Sequence, residues 1–262
     1  MSQYQENATV TRVEQFSEKN YRLTLDSPEI AESAKPGQFV MIRTGHGHDP
    51  LLRRPFSIHQ TSANGTIQVF FKVVGRGTDI LAHVKQGEVL SVFGPLGQGF
   101  RIKEYSPAVI VGGGLGIAPM LFLAKAICRL KNGCFKDLII LGGREKNELE
   151  PLLDDFREIG ITLYTATDDG SLGYHGNVAD VLQSIEVPTN CTIYSCGPEL
   201  MLAGIAEISK EKGVPCQVSV ESVMACGMGA CLGCSKPKND GTYTHVCLNG
   251  PVFKAEELQW NI

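Results

Sequence analysis

The stretch SPAVIVGGGLGIAPMLFLA, residues 106–124, decides the fold. It carries no charge over 19 residues, close to the length a membrane-crossing helix needs. Gly112, Gly113, Gly114 and Gly116, with Pro107 and Pro119, break that reading. An apolar run that enters glycines and leaves as a second apolar run reads as strand, tight turn and helix. The stretch is therefore expected to be a soluble βα unit, and the rest of the chain can be placed around it.

Downstream the alternation continues. Strands are expected at 108–111, 138–141, 162–165, 192–195 and 217–220, with helices at 120–130, 149–159, 178–184 and 199–212. Strand and helix in turn imply a doubly wound parallel sheet. Upstream, β-branched and aromatic runs at 8–13, 21–25, 38–42, 54–59, 67–74 and 89–93 are separated by turn formers such as Lys35-Pro36-Gly37 and Ala63-Asn64-Gly65. One helix is expected among them, at 79–84. Six strands at that spacing suggest a small antiparallel barrel. The reading is thus β plus α/β. A six-stranded antiparallel barrel (1–103) precedes the parallel-sheet nucleotide domain (104–220), and a short cysteine-rich lobe follows (221–262).

Composition narrows the class. The chain has 262 residues, of which 43% are apolar and 20% charged, enough for a full core and unlike a disordered chain. A net charge of −4 gives no reason to expect nucleic acid or an anionic membrane as partner. Of nine cysteines none precedes Cys128, and four fall in the last 37 residues. With no secretory leader read at the start, late-clustered thiols suggest cytoplasmic metal or redox chemistry rather than a disulfide scaffold.

The clustered thiols have a specific spacing, Cys226-x4-Cys231-x2-Cys234-x12-Cys247. A [2Fe–2S] cluster takes four thiolates, and C-x4-C-x2-C is the plant-type ferredoxin spacing. The small residues between them let a loop wrap tightly and aim N–H groups at sulfur. Structural zinc also accepts four cysteines but usually pairs two C-x2-C knuckles, and only one such knuckle is present. A third possibility is a set of buried unliganded thiols. Cys128, Cys134, Cys191 and Cys216 fall in or beside expected core elements and read as small hydrophobes. Cys196 differs, because Gly197 and Pro198 follow it at a strand's carboxyl edge, where open sheets bind ligands. The six histidines, His46, His48, His59, His83, His175 and His245, are read as surface or structural.

In the barrel half, Arg54-Pro55-Phe56-Ser57 opens a strand and Gly75-Arg76-Gly77-Thr78 runs into the helix, whose N-terminus suits phosphate. These motifs resemble R-x-[YF]-S and G-x-G-T of the ferredoxin-reductase family. The resemblance implies an FAD held by Arg53, Arg54, Pro55 and Phe56, with Ser57 near the reactive flavin edge. It also implies that Phe70, Phe71 and Lys72 line the flavin and that Gly77 and Thr78 hold its pyrophosphate. Phe56 stands where many relatives have tyrosine, which removes a hydroxyl and keeps an aromatic wall.

Gly112-Gly113-Gly114-Leu115-Gly116 fails the G-x-G-x-x-G test, yet its glycines permit close backbone approach to a pyrophosphate. With Cys196-Gly197-Pro198-Glu199 it resembles the family's nicotinamide half. That likeness implies Gly113, Gly114 and Gly116 at the nucleotide, and Cys196, Gly197 and Pro198 at the nicotinamide. Asp168, after the third strand of this half, repels a 2′-phosphate and can accept from a ribose hydroxyl, so NAD is the expected nucleotide.

The run from Glu221 through Cys234 closely resembles electron-transfer subunits of type B dihydroorotate dehydrogenases, and the likeness spans the chain. It implies an FMN-containing catalytic partner, a heterotetramer, and electron flow from that FMN through cluster and FAD to NAD⁺ in pyrimidine synthesis. Other possibilities are a redox subunit of a sulfhydrogenase, anaerobic sulfite reductase or transhydrogenase, or a non-catalytic iron–sulfur assembly protein.

Overall fold

The protein is described from a computed structural model covering every residue except Met1, His46, His48, Phe135, Asn261 and Ile262. The paired histidines of the 45–50 loop thus lie outside the described residues.

Six strands close a barrel in the order β1-β2-β5-β4-β3-β6. They are β1 (Tyr4–Gln15), β2 (Asn20–Asp26), β3 (Phe39–Ile42), β4 (Arg54–Thr61), β5 (Thr66–Lys72) and β6 (Val89–Leu96), all antiparallel to their neighbours. Closure removes the exposed edges. Val10, Leu23, Ile42, Ile58 and Val69 fill the interior, as alternation along each strand requires.

The barrel half holds two helices rather than the one expected, α1 (Pro28–Ser33) and α2 (Arg76–Ala82). Six residues are too few to display a helical period, so α1 leaves little trace in the sequence pattern. α2 begins three residues before its expected start, because Thr78 Oγ1 accepts the N–H groups of Val74 and Gly75 at 2.9 and 3.2 Å. Gly77 and Thr78 therefore lie inside the first helical turn instead of ahead of it.

The second half comprises β7 (Ala108–Gly113), α3 (Met120–Lys131), β8 (Leu138–Gly143), α4 (Lys146–Arg157), β9 (Thr162–Thr167), β10 (Tyr174–His175), α5 (Val178–Ser184), β11 (Thr192–Cys196), α6 (Glu199–Glu211) and β12 (Cys216–Ser219). Its sheet order is β10-β9-β8-β7-β11-β12, all parallel. The winding reverses between β7 and β11, which makes that crevice the topological switch point. The charge-free stretch 106–124 is thus strand, 3-10 turn (Gly114–Ile117) and helix, as its glycines suggest. Among the described residues no helix is long and apolar enough to cross a membrane.

After the cysteines, β13 (Ser235–Pro237) and β14 (Tyr243–His245) form a hairpin around Asn239-Asp240-Gly241. α7 (Val246–Asn249) follows, and then β15 (Val252–Lys254) pairs antiparallel with β12 as the outermost strand of the parallel sheet. Val246, Phe253 and Leu258 join a core that also contains Phe39 and Leu96 of the barrel and Val109 and Val218 of the sheet. The tail is therefore anchored by ordinary apolar burial as well as by its thiols.

One cysteine expectation needs correcting. Cys128 and Cys134 are joined as a disulfide, with Cα atoms 5.0 Å apart, rather than packing as separate thiols. Asn132, left-handed at φ 53°, ends α3 and turns the chain back to bring them together.

Candidate functional site

A cavity of about 300 Å³ opens where the barrel, the switch-point crevice and the segment after β12 meet. β4 supplies Arg54, Pro55, Phe56 and Ser57 to it, β5 supplies Phe70, Phe71 and Lys72, and α2 supplies Thr78. From the sheet come Leu115, Ala118 and Cys196. The tail side adds Glu221 and Met224, which reasoning from sequence did not single out. Glu221 could have been suspected, since it lies two residues past the last parallel strand and precedes the cysteine motif. A second, wider cavity of about 620 Å³ shares Arg54, Pro55, Ser222 and Met224 with the first, so the two form one groove.

The barrel wall suits a large aromatic anion. Phe56 and Phe71 meet edge to face at 5.6 Å, and Tyr21 stacks on Phe71 at 5.9 Å, so the wall is rigid. Arg54 and Lys72 supply positive charge on that wall. Gly77 lies against Arg54, where a Cβ would stand 2.8 Å from Nε; any side chain there would displace the guanidinium from the groove. Arg53 is engaged otherwise. Its Nη1 donates to the Ser91 carbonyl at 2.7 Å and its Nη2 to Ser91 Oγ at 3.0 Å, bracing β6 along the edge of the wider cavity.

At the switch point the two glycine-bearing loops interlock. A Cβ on Gly116 would overlap the Cys196 carbonyl oxygen, and one on Gly113 would overlap the Met201 sulfur. These two glycines thus serve the contact between the β7 loop and the Cys196-Gly197-Pro198 loop. Gly114, at φ +55° with no neighbour within 4 Å, is the one left open. Cys196 is buried, and burial together with the nearby Glu221 carboxylate pushes its thiol up to about 12, so it meets the cavity as a neutral S–H. Protein packed around it also raises the Glu221 carboxyl, although the residue itself is exposed at the groove. Asp168 is exposed just beyond β9, away from the cavity lining, at the carboxyl edge of the sheet.

The four tail cysteines gather as two pairs. Cys234 and Cys247, both buried, have sulfurs 3.2 Å apart. Cys226 Sγ accepts the N–H of Cys231 at 3.4 Å. Burial raises the Cys226 thiol, but hydrogen bonds from Cys231, Met228 and Ala230 outweigh it and bring it down to about 6. Burial and the adjoining Cys234 thiol push Cys247 up to about 12, although Gly229 N–H donates to its sulfur at 3.1 Å. Two thiolates this close repel unless a cation lies between them, so the pairs fit a positively charged iron pair. Among the described residues no three His, Cys, Asp or Glu side chains form a single metal-sized group. Two pairs of thiols fit two irons with two thiolates each. Gly227, at φ +72°, carries the loop across Met41, where a Cβ would stand 2.6 Å from Cγ.

A barrel and a nucleotide sheet that share one groove, followed by a tail of paired thiols, define a ferredoxin-reductase-type flavoprotein with an iron–sulfur tail. The comparisons with known proteins agree. The oxidoreductase FAD-binding domain matches residues 7–100, and the iron-sulfur cluster binding domain of dihydroorotate dehydrogenase B matches residues 221–259. A relative from Desulforamulus reducens named dihydroorotate dehydrogenase B (NAD(+)), electron transfer subunit, is 38% identical over 261 residues, 97% of this chain and 98% of its own. The Fusobacterium nucleatum protein of the same name is 38% identical over 263 residues with the same coverage. The chain belongs to the family of dihydroorotate dehydrogenase B electron transfer subunits. Among solved structures, an NADH-dependent reduced ferredoxin-NADP oxidoreductase superposes with a TM-score of 0.87 at 31% identity, over 97% of this chain and 90% of that one. A ferredoxin NADP⁺ reductase from Neisseria gonorrhoeae, 15% identical with a TM-score of 0.69 over 82% of this chain and 99% of its own, shares the fold.

Proposed function

We propose that this chain is the electron transfer subunit of a dihydroorotate dehydrogenase complex. Electrons arrive from the FMN of a catalytic partner subunit and leave as NADH, in pyrimidine synthesis in the cytoplasm. The observation that carries this is the single groove onto which flavin motif, Cys196 and the approach to the thiol pairs all open. A flavin, when bound, links the two-electron chemistry of a nicotinamide to the one-electron chemistry of a [2Fe–2S] cluster.

The chain's own residues bind, orient and exclude water. Arg54 and Thr78, with Gly77 beneath, take the FAD phosphates, while Phe56, Phe70 and Phe71 hold the ring system and Ser57 its reactive edge. Neutral Cys196 and the Gly197-Pro198 turn seat the nicotinamide, and Gly114 leaves room for its pyrophosphate. Asp168 accepts from the ribose and disfavours a 2′-phosphate. Cys226 with Cys231, and Cys234 with Cys247, hold the iron. The catalytic partner is expected in a two-plus-two heterotetramer.

The likeness to the NADH-dependent reduced ferredoxin-NADP oxidoreductase supports a second reading, in which the same modules serve a transhydrogenase-type complex. The cofactor part of both readings is tested on the purified chain, which should contain FAD and acid-labile sulfide together. A preparation holding FAD but lacking sulfide would contradict the electron relay.

A further inference from the structure

A short chain of hydrogen bonds runs from Lys72 on the flavin wall to Asp168 at the carboxyl edge of the nucleotide sheet. Lys72, the last residue of β5, lines the cavity and places Nζ 2.8 Å from Glu148 Oε1. Glu148 sits in the first turn of α4, and its other oxygen accepts the Arg144 backbone N–H at 3.2 Å. Arg144 directly follows β8. The Gly143 and Arg144 carbonyls in turn accept the N–H groups of Asp168 and Asp169, both at 3.2 Å. Ser171 completes the unit: its Oγ accepts from Lys146 N at 2.8 Å and donates to Asp169 Oδ1 at 2.6 Å. The ends of β8 and β9 are thus hydrogen-bonded to one another, and Glu148 ties them to the flavin wall.

We propose that Glu148 is a positioning residue that couples dinucleotide binding at the β8–β9 edge to the flavin cavity through Lys72. The inference rests on reading those two places as the NAD and FAD sites. Simple docking of α4 on the barrel has another fastener, since Arg22 of β2 is held by Glu14 of β1 and Asp155 of α4. Glu148 is not needed for that. Its carboxylate is only partly exposed, and the Lys72 and Arg144 donors outweigh burial to hold it below its ordinary range, so both contacts are charge-assisted. Coupling of this kind is reciprocal: what shifts the Arg144 turn shifts Lys72, and the reverse.

The test uses the full FAD-loaded chain as wild type, Glu148→Gln, Lys72→Met and the double variant. Glu148→Gln keeps the shape and an acceptor for Arg144 N–H while removing the charge. NAD⁺ affinity is read from the flavin difference spectrum, and KM and kcat from NADH oxidation by ferricyanide. Each single variant should weaken NAD⁺ binding about fivefold, chiefly in KM, and the double should be no weaker than the worse single. Because Lys72 itself lines the flavin cavity, the coupling is read from the non-additivity of the double variant rather than from the Lys72 variant alone. Affinities within about twofold of wild type in the Glu148 variant, or additive losses in the double, would overturn the proposal. A wild-type chain that binds FAD but gives no NAD⁺ response would overturn the functional reading, and this coupling with it.

Discussion

His59 lies where the two halves of the molecule meet. Its ring is fully buried, Nδ1 stands 2.6 Å from the Ala118 carbonyl oxygen, and Nε2 has no hydrogen-bond partner among the described residues. The short contact assigns the proton to Nδ1 and leaves the ring neutral. Burial, aided by Arg22 and Lys125, lowers its pKa from 6.5 to about 4, against the raising effect of the Ala118 carbonyl and Asp155. The unfolded chain binds a proton below 6.5 that the native chain refuses until about 4. Stability from this site is therefore complete above the higher value and falls away as pH drops through that window, by about 3 kcal/mol. Denaturant unfolding of the wild type followed from pH 7 to 4 should show this loss, and His59→Gln should flatten it. An unchanged acid limb in the variant would contradict the assignment. Sequence reading leaves His59 as surface or structural, and the residue is buried. It could not place the residue at the junction, because strand alternation sends a neighbour of buried Ile58 outward to solvent. Here α3 covers that outer face of β4, so both residues are buried.

At the scale of elements, the tail shows both what spacing reveals and what it hides. Four cysteines at ferredoxin spacing point to a cluster, and the structure brings them together in the tail as two pairs. Which thiols pair, and that β15 then joins the sheet, is not legible: three residues make the strand, and its partner β12 is more than thirty positions away. α1 and the early start of α2 escaped for a similar reason, being set by single contacts rather than a repeating pattern. The disulfide between α3 and the loop after it depends on one left-handed Asn132. Cys231 is the exposed member of its pair, so its removal should leave the buried Cys234–Cys247 side packed. Cys231→Ser is expected to lose iron and to slow partner-dependent electron transfer at least about tenfold relative to NADH oxidation by ferricyanide, a ratio worth about 1.4 kcal/mol. Full iron content and an unchanged ratio would refute the ligand assignment.

For the whole molecule, the order of modules along the chain was plain from residue periodicity, and the family resemblance followed from four motifs. Their convergence on one groove was not, because it depends on packing between elements far apart in sequence. Phe39 and Leu96 of the barrel, Val109 and Val218 of the sheet and Phe253 of the tail share one core, which fixes the three parts relative to one another. The groove exists only because that core does. In the proposed function this architecture passes electrons from a partner's dihydroorotate chemistry to NAD⁺. Its most direct test is dihydroorotate-dependent NAD⁺ reduction by the chain co-purified with its native partner, compared with each component alone. The complex should form NADH, and neither part alone should. A complex that oxidises dihydroorotate with an artificial acceptor yet leaves NAD⁺ unreduced would contradict that function.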